Sequence, residues 1–170
     1  MMKCSKVERK DGGGLCMSQF EFINGSRELL DLVHPLWEKL KVHHEINSSY
    51  FSNNFKNLTF DTRKSKLTND DSIIVKIDLI KDLEKDLYVG YCISTVNKGL
   101  IGEIDSLFVD KEYRKYGLGD KLMTRALEWL NSNHVKTKII GVAEGNENVL
   151  DFYKRHGFYK RRIILEQINE

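Results

Sequence analysis

Arg114, Gly117 and Gly119 stand at R-x-x-G-x-G spacing inside the run Val109 to Leu122, V-D-K-E-Y-R-K-Y-G-L-G-D-K-L. The chemistry this run suits is anion binding. Two glycines one residue apart let backbone approach a ligand with no Cβ in the way. A helix that begins there turns its unpaired N–H groups and its positive dipole end toward the loop. Arg114, Lys115 and Lys111 add full positive charge, and a diphosphate is the natural guest. Two nucleotide chemistries fail on spacing. No Lys-Ser or Lys-Thr follows the glycines as a P-loop requires, and Leu122 stands where a dinucleotide fingerprint has its third glycine. Taken alone, paired glycines mark a tight turn more often than a ligand, so the flanking elements decide.

Before the loop, the pattern is that of a meander. Ile73, Val75, Ile77 and Leu79 alternate with mostly polar neighbours, and Leu87, Val89, Tyr91 and Ile93 repeat the pattern after a charged turn. Asn97-Lys98-Gly99 makes the next turn, and Ile101 to Val109 is the third strand. Its phase slips, with Ile104 on one parity and Leu107 and Val109 on the other, which predicts one extra residue, a bulge of the kind often found beside active sites. Glu103 and Asp105 lie two apart on this strand and share a face if the bulge begins after them. Beyond the loop, Leu118, Leu122, Ala126, Trp129 and Leu130 predict an amphipathic helix. A short strand over 138–143, a helix over 148–156 stopped by Gly157, and a final strand over 158–165 follow.

The first third is less patterned. Residues 1–14, ending in three glycines, predict a flexible tail or a short edge strand, with a domain over 15–170 and a first strand over 15–23. Leu29, Leu30, Val33, Leu36, Trp37, Leu40 and His44 mark a helical stripe, and Pro35 predicts a kink or two helices meeting near His34. Residues 46–58 read as a loop, and Phe60, Lys64 and Leu67 as a short helix. His43-His44-Glu45 is a poor metal site, since adjacent histidines on a helix face apart.

With strand, loop and helix in place, the chain resembles the GCN5-related N-acetyltransferases (GNAT family). The match lies in Ile104-x-x-Leu107-x-Val109 running into Tyr113-Arg114-x-x-Gly117-x-Gly119, and in Asn146, Tyr153 and Gly157-Phe158 downstream. The specific motifs cover 101–158, and the element order extends the likeness to 15–167. The resemblance implies an α/β fold: a mixed sheet of about six to seven strands flanked by about four helices, with a bulged central strand at 101–109. It also implies acetyl-CoA as co-substrate and an amine as acceptor. Backbone N–H groups of Lys115, Tyr116, Gly117, Leu118, Gly119 and Asp120, with the Arg114 side chain, would hold the diphosphate. Leu107, Phe108 and Val109 would run beside the pantetheine and acetyl group, where backbone donors polarise the carbonyl. Asn146 would hydrogen-bond the pantetheine arm. Tyr153 would donate to the departing thiolate, whose conjugate acid has a pKa of about 8.5. Glu103, ranked above Asp105, would accept the acceptor's proton, through water. Asp120 departs from the small or hydroxyl residue common after the second glycine, and reads as a first-turn helix residue.

Composition sets the outer limits. The 170 residues are 41% hydrophobic and 31% charged with a formal charge of +2, so global charge does not imply nucleic acid. No apolar run approaches the roughly 18 residues of a membrane span. Cys4, Cys16 and Cys92 have no CxxC spacing, which argues against a zinc site or disulfide framework and leads to the expectation of a cytoplasmic protein without a metal. The competing reading is a non-catalytic acyl-CoA-binding sensor or interaction module of the same fold. The acceptor stays open, and so does the oligomeric state, a homodimer included.

Overall fold

The computed structural model describes residues 19–168. Five strands form one sheet in chain order: β1 (Phe20–Gly25), β2 (Ile74–Asp82), β3 (Leu87–Val96), β4 (Ile101–Val109) and β5 (Thr137–Ile140). The first four are antiparallel neighbours, and β5 runs parallel to β4. Five α-helices accompany them: α1 (Leu30–Asn47), α2 (Ser52–Lys56), α3 (Phe60–Thr68), α4 (Leu118–Ser132) and α5 (Leu150–Arg155).

Strand alternation divides the core into two layers. Ile77, Leu79, Tyr91, Ile93 and Phe108 pack against Leu30, Val33, Leu36 and Trp37 of α1 and Phe60 and Leu67 of α3. Ile80, Val89, Cys92, Ile104 and Val109 turn to the other face, against Leu118, Leu122, Met123, Ala126 and Leu130 of α4 and Tyr153 of α5. Each fully buried aliphatic side chain contributes roughly 1.5–3 kcal/mol, so α4, with five buried residues on one stripe, is anchored firmly to the sheet.

The structure corrects four expectations. The sheet has five strands among the described residues, not six to seven, because the segment 158–165 forms no strand. Its Ile163, Ile164 and Leu165 are 78%, 77% and 91% exposed; strand-forming composition makes no strand without a partner for its backbone groups. Among the described residues there are five α-helices rather than about four, since α1 runs on to Asn47 and α2 occupies part of the expected loop over 46–58. Helix α1 also passes through Pro35 unbroken. The proline removes one donor, while burial of Leu30, Val33, Leu36 and Trp37 holds both halves to the same surface. The expected tail over 1–14 and the start of the strand expected over 15–23 lie outside the described residues.

Candidate active site

Strand β4 carries the predicted bulge. Ile104 pairs with Ser94 and Ser106 with Ile93, so Asp105 is the extra residue. The bulge therefore falls between Glu103 and Ser106 rather than after the two acids. Its second consequence is an opening in the sheet. β4 and β5 pair only from Ile101↔Thr137 to Ile104↔Ile140. Beyond Ile104, β4 continues to Val109 with β3 on one side and, among the described residues, no strand on the other. Leu107, Phe108 and Val109 thus offer an unladdered backbone edge, where an extended ligand can find donors and acceptors.

This edge leads into the glycine loop. Residues Lys111–Tyr116 form 3-10 turns, and Gly117, at φ 68°, starts α4 in the left-handed region. A Cβ on Gly117 would meet no atom within 4 Å, so glycine is needed there for its backbone conformation alone. Gly119 differs: its Cβ would point at Phe152 of α5, 3.5 Å away. No side chain caps α4, which leaves its first-turn N–H groups available. Arg114 folds back to donate from Nε to the Val109 carbonyl at 3.0 Å. Tyr116 and Tyr113 pack on Phe20, and the Tyr113 hydroxyl donates to Asp82 at 2.9 Å, pinning the loop to the sheet's far edge. Beside Arg114 opens a cleft of about 560 Å³ between α1 and the end of β4, lined by Lys39, His43, Phe108 and Lys111 among others. Three of its side chains are cationic and two, Glu38 and Asp110, are acidic; Lys39 pairs with Asp110 at 2.5 Å, which leaves Lys111 and Arg114 as the positive end of the cleft. An uncapped helix start, basic rim and open strand edge fit a long anionic carrier.

Asp120 does not face an anion alone. It accepts from His156 Nε2 at 2.9 Å and from Arg155 at 3.4 Å, joining α4 to α5. The opposite wall is closed by α1. His43 Nε2 meets Asn146 Oδ1 at 3.2 Å, Ser48 donates to Glu144 at 2.6 Å, and the Ser49 N–H donates to the same carboxylate. These bonds, the Ser48 one foremost, hold the Glu144 carboxyl below its usual range. The sequence signalled none of this contact, because residues about a hundred positions apart make it.

Tyr153 is buried at the base of α5, in edge contact with Phe152 and Phe158. Burial pushes its hydroxyl up to about 12. Glu103 leaves β4 from the face opposite Ile104, whose side chain shares a core cluster with Tyr153. The two candidate catalytic groups therefore lie on opposite faces of the sheet.

Next to Glu103 lies a polar cluster that the sequence reading missed. Arg63 of α3 makes an ion pair with Asp105. The fully buried Tyr91 hydroxyl faces Ser106 and the Arg63 guanidinium without a well-formed hydrogen bond, and Arg63 Nε, Asp105 Oδ2 and the Ser106 hydroxyl also lack hydrogen-bond partners in the protein. Unpartnered buried polar groups cost about 1–3 kcal/mol each, a cost tolerated mainly at functional sites. The available signal was positional. Arg63 lies three residues after Phe60 and four before Leu67, the two buried residues of α3, whereas Lys64 reaches out to Asp31. The other aromatic residues of the first half serve mostly in packing: Trp37 meets Phe60 edge-on, and Phe55 stacks on His44. No cluster able to hold a metal ion occurs among the described residues, and no described helix is long and apolar enough to cross a membrane.

Burial pushes the Cys92 thiol, on the sheet face below Tyr153, from an ordinary 9.0 to about 12. Between those values the unfolded chain releases the thiol proton and the folded chain keeps it, so stability falls as pH rises above about 9. Tyr153 acts in the same direction above pH 10. The urea midpoint is expected to drop between pH 8.5 and 10.5, and to drop less in Cys92→Ala. An equal slope in both proteins would remove Cys92 as a cause.

The family model described as "Acetyltransferase (GNAT) family" matches residues 40–158. An uncharacterised N-acetyltransferase of Methanocaldococcus jannaschii is 31% identical over 72 residues, 42% of this chain and 32% of that protein. N-alpha-acetyltransferase 30 of Schizosaccharomyces pombe is 33% identical over 85 residues, 46% of this chain and 57% of that one. The chain thus spans a third to somewhat over half of these relatives. Among solved structures, a GCN5-related N-acetyltransferase from Ralstonia eutropha aligns with TM-score 0.68 at 17% identity, over 88% of this chain and 98% of that one. The aminoglycoside N-acetyltransferase AAC(6')-Iy in complex with CoA aligns with TM-score 0.60 at 12% identity, over 88% and 94%. Both share the fold.

Proposed function

The chain belongs to the acetyltransferase (GNAT) family, and from that premise we propose that it moves an acetyl group from acetyl-CoA to a primary amine by direct attack in a ternary complex. The observation that carries this reading is the free edge of β4 beyond Ile104, running straight into the uncapped start of α4. Along that line Leu107, Phe108 and Val109 flank the pantetheine, and the N–H groups from Lys115 to Asp120 with Arg114 take the diphosphate. Asn146, already hydrogen-bonded to His43, takes a pantetheine amide as a further partner for its side chain.

The proton balance assigns the remaining roles. The acceptor arrives as an ammonium and gives one proton to Glu103, directly or through water. The freed amine attacks the thioester carbon, the C–N bond forms and the C–S bond breaks. The nitrogen then sheds its second proton. One of the two protons ends on the CoA thiol and the other in solvent. Tyr153 steadies the departing sulfur with its O–H.

The test is a CoA-release screen over polyamines, aminoglycosides, amino acids and peptides with a free α-amine. The panel draws on the relative named as an N-alpha-acetyltransferase and the neighbours named as aminoglycoside acetyltransferases. A thermal shift with acetyl-CoA but not with ATP or NAD is expected, together with release on at least one amine class. A shift with no release from any amine would favour the acyl-CoA sensor instead.

A further inference from the structure

Resting on the acetyltransferase reading, we propose that His156 is a positioning residue for the cofactor: it holds the Asp120 carboxylate against α5, away from the first turn of α4, and so leaves the N–H groups of that turn to the diphosphate.

Asp120 is the natural rival for those groups. It is the third residue of α4, where a carboxylate can turn back over the first-turn N–H groups and is favoured by the positive end of the helix dipole. A diphosphate would use the same donors and the same dipole end. In the structure the rivalry is avoided. No side chain caps α4, although an acid stands in its first turn. The Asp120 carboxylate is turned to α5 instead, where its Oδ1 accepts from His156 Nε2 at 2.9 Å and from Arg155 at 3.4 Å.

The packing makes His156 the firmer of the two holders. Gly119 brings α4 against α5, since a Cβ on it would lie 3.5 Å from Phe152. The Phe152 ring braces the His156 ring at 5.0 Å between centroids, and the Arg155 guanidinium lies 5.4 Å from the same ring. The His156 side chain is 15% exposed, that of Arg155 61%. An exposed arginine at 3.4 Å does little to hold a carboxylate. The backbone fixes His156 from behind: its N–H donates to the Tyr153 carbonyl at 3.0 Å, and Gly157 turns the chain away directly after it. Thr124 of α4 also reaches Asp120, but its hydroxyl donates to the main-chain carbonyl, not to the carboxylate. His156 touches neither the reacting atoms nor the diphosphate; it acts through Asp120.

The test is a double-mutant cycle read by calorimetric titration of acetyl-CoA at fixed pH and ionic strength, beside steady-state kinetics. His156→Leu removes the donor and frees the carboxylate. It is expected to raise the Kd and the KM for acetyl-CoA about fivefold, the effect of one carboxylate at a helix start, with kcat within about twofold of its original value. His156→Gln, whose amide nitrogen can stand where Nε2 stands, should hold the affinity near its original value. His156→Asn, whose amide stops short of the carboxylate, should behave as His156→Leu and takes its place if the leucine variant does not fold. Asp120→Ser should strengthen binding about fivefold more in the His156→Leu background than in the wild type, because only there does the carboxylate compete. Equal gains in the two backgrounds overturn the proposal, as does an unchanged Kd in His156→Leu. His156 would then be a brace between two helices, whose loss the removal of Asp120 does not repair. Amide NMR of Leu118, Gly119 and Asp120 in the cofactor-free protein gives an independent answer. Their shifts should move in His156→Leu and return when Asp120→Ser is added; shifts that stay, or move without returning, count against the proposal. Should the wild-type protein bind no acetyl-CoA, the acetyltransferase reading fails by itself, and the amide shifts still decide whether His156 keeps Asp120 off the helix start.

Discussion

Tyr153→Phe is expected to lower kcat about 10- to 100-fold and to change the KM for acetyl-CoA by less than about twofold. The magnitude follows from what a buried hydroxyl can do for a departing thiolate. A hydrogen bond to a charged partner is worth about 1.5–3 kcal/mol, and each 1.36 kcal/mol of barrier is a factor of about ten. Full proton transfer is a different matter. The Tyr153 hydroxyl is pushed up to about 12 by burial, whereas a free thiol has a pKa of about 8.5. Handing the proton to a solvated thiolate would run uphill by roughly 5 kcal/mol. On that footing we propose that Tyr153 serves the departing sulfur as a hydrogen-bond donor rather than by full proton transfer. In this proposal Tyr153 keeps its proton and lends it to the sulfur as a hydrogen bond, while solvent completes the protonation. Steady-state kinetics from pH 6 to 10 would check this. The basic limb should coincide in the two proteins, since Tyr153 does not titrate in that range. A basic limb that disappears in Tyr153→Phe would restore the proton-donor role, and an unchanged kcat would remove Tyr153 from the step.

The parts of this site that could be read from sequence are those written in local pattern. The slip in parity between Ile104 and Leu107 announced the bulge, because strand side chains alternate and one extra residue inverts the phase. Gly117 announced the left-handed start of α4, because few other residues adopt that conformation without strain. What depends on distant partners was hidden. The segment 158–165 has the residues of a strand and none of the pairing. The α3 stripe was assigned through Lys64, one residue away from the half-buried Arg63 that meets Asp105. An arginine on the apolar side of a short helix is an ordinary surface charge until the acid it meets is known. Likewise His43 and Ser48 could be placed on α1 and in the turn after it, yet their partners Asn146 and Glu144 belong to a loop about a hundred residues on.

That long-range contact should be the most sensitive structural joint around the opening, and Gly145 is where it can be broken cleanly. Gly145 sits at φ 83° between the two residues that bind α1, and a Cβ there would run into the Asn47 carbonyl. Backbone on both sides leaves nothing flexible to yield. Gly157, at φ 84°, offers the matched control, because a Cβ there would meet no atom within 4 Å. Gly157→Ala is expected to cost only the left-handed conformation, about 1–2 kcal/mol. Gly145→Ala should cost the same amount plus the clash, or else the loss of the bonds from His43, Ser48 and Ser49, for about 2–3 kcal/mol more. Urea unfolding of the two variants measures the difference directly. Hydrogen exchange then shows where it falls: the last turn of α1 and residues 48–51 should lose protection in Gly145→Ala, while β2 and β3 keep theirs. On the proposed assignment of Asn146 to the pantetheine arm, acetyl-CoA affinity should weaken with it, because the His43–Asn146 contact is lost. Equal destabilisation by the two alanines would mean that the end of α1 contributes nothing to holding that wall, and that Asn146 keeps its position through the turn of its own loop alone.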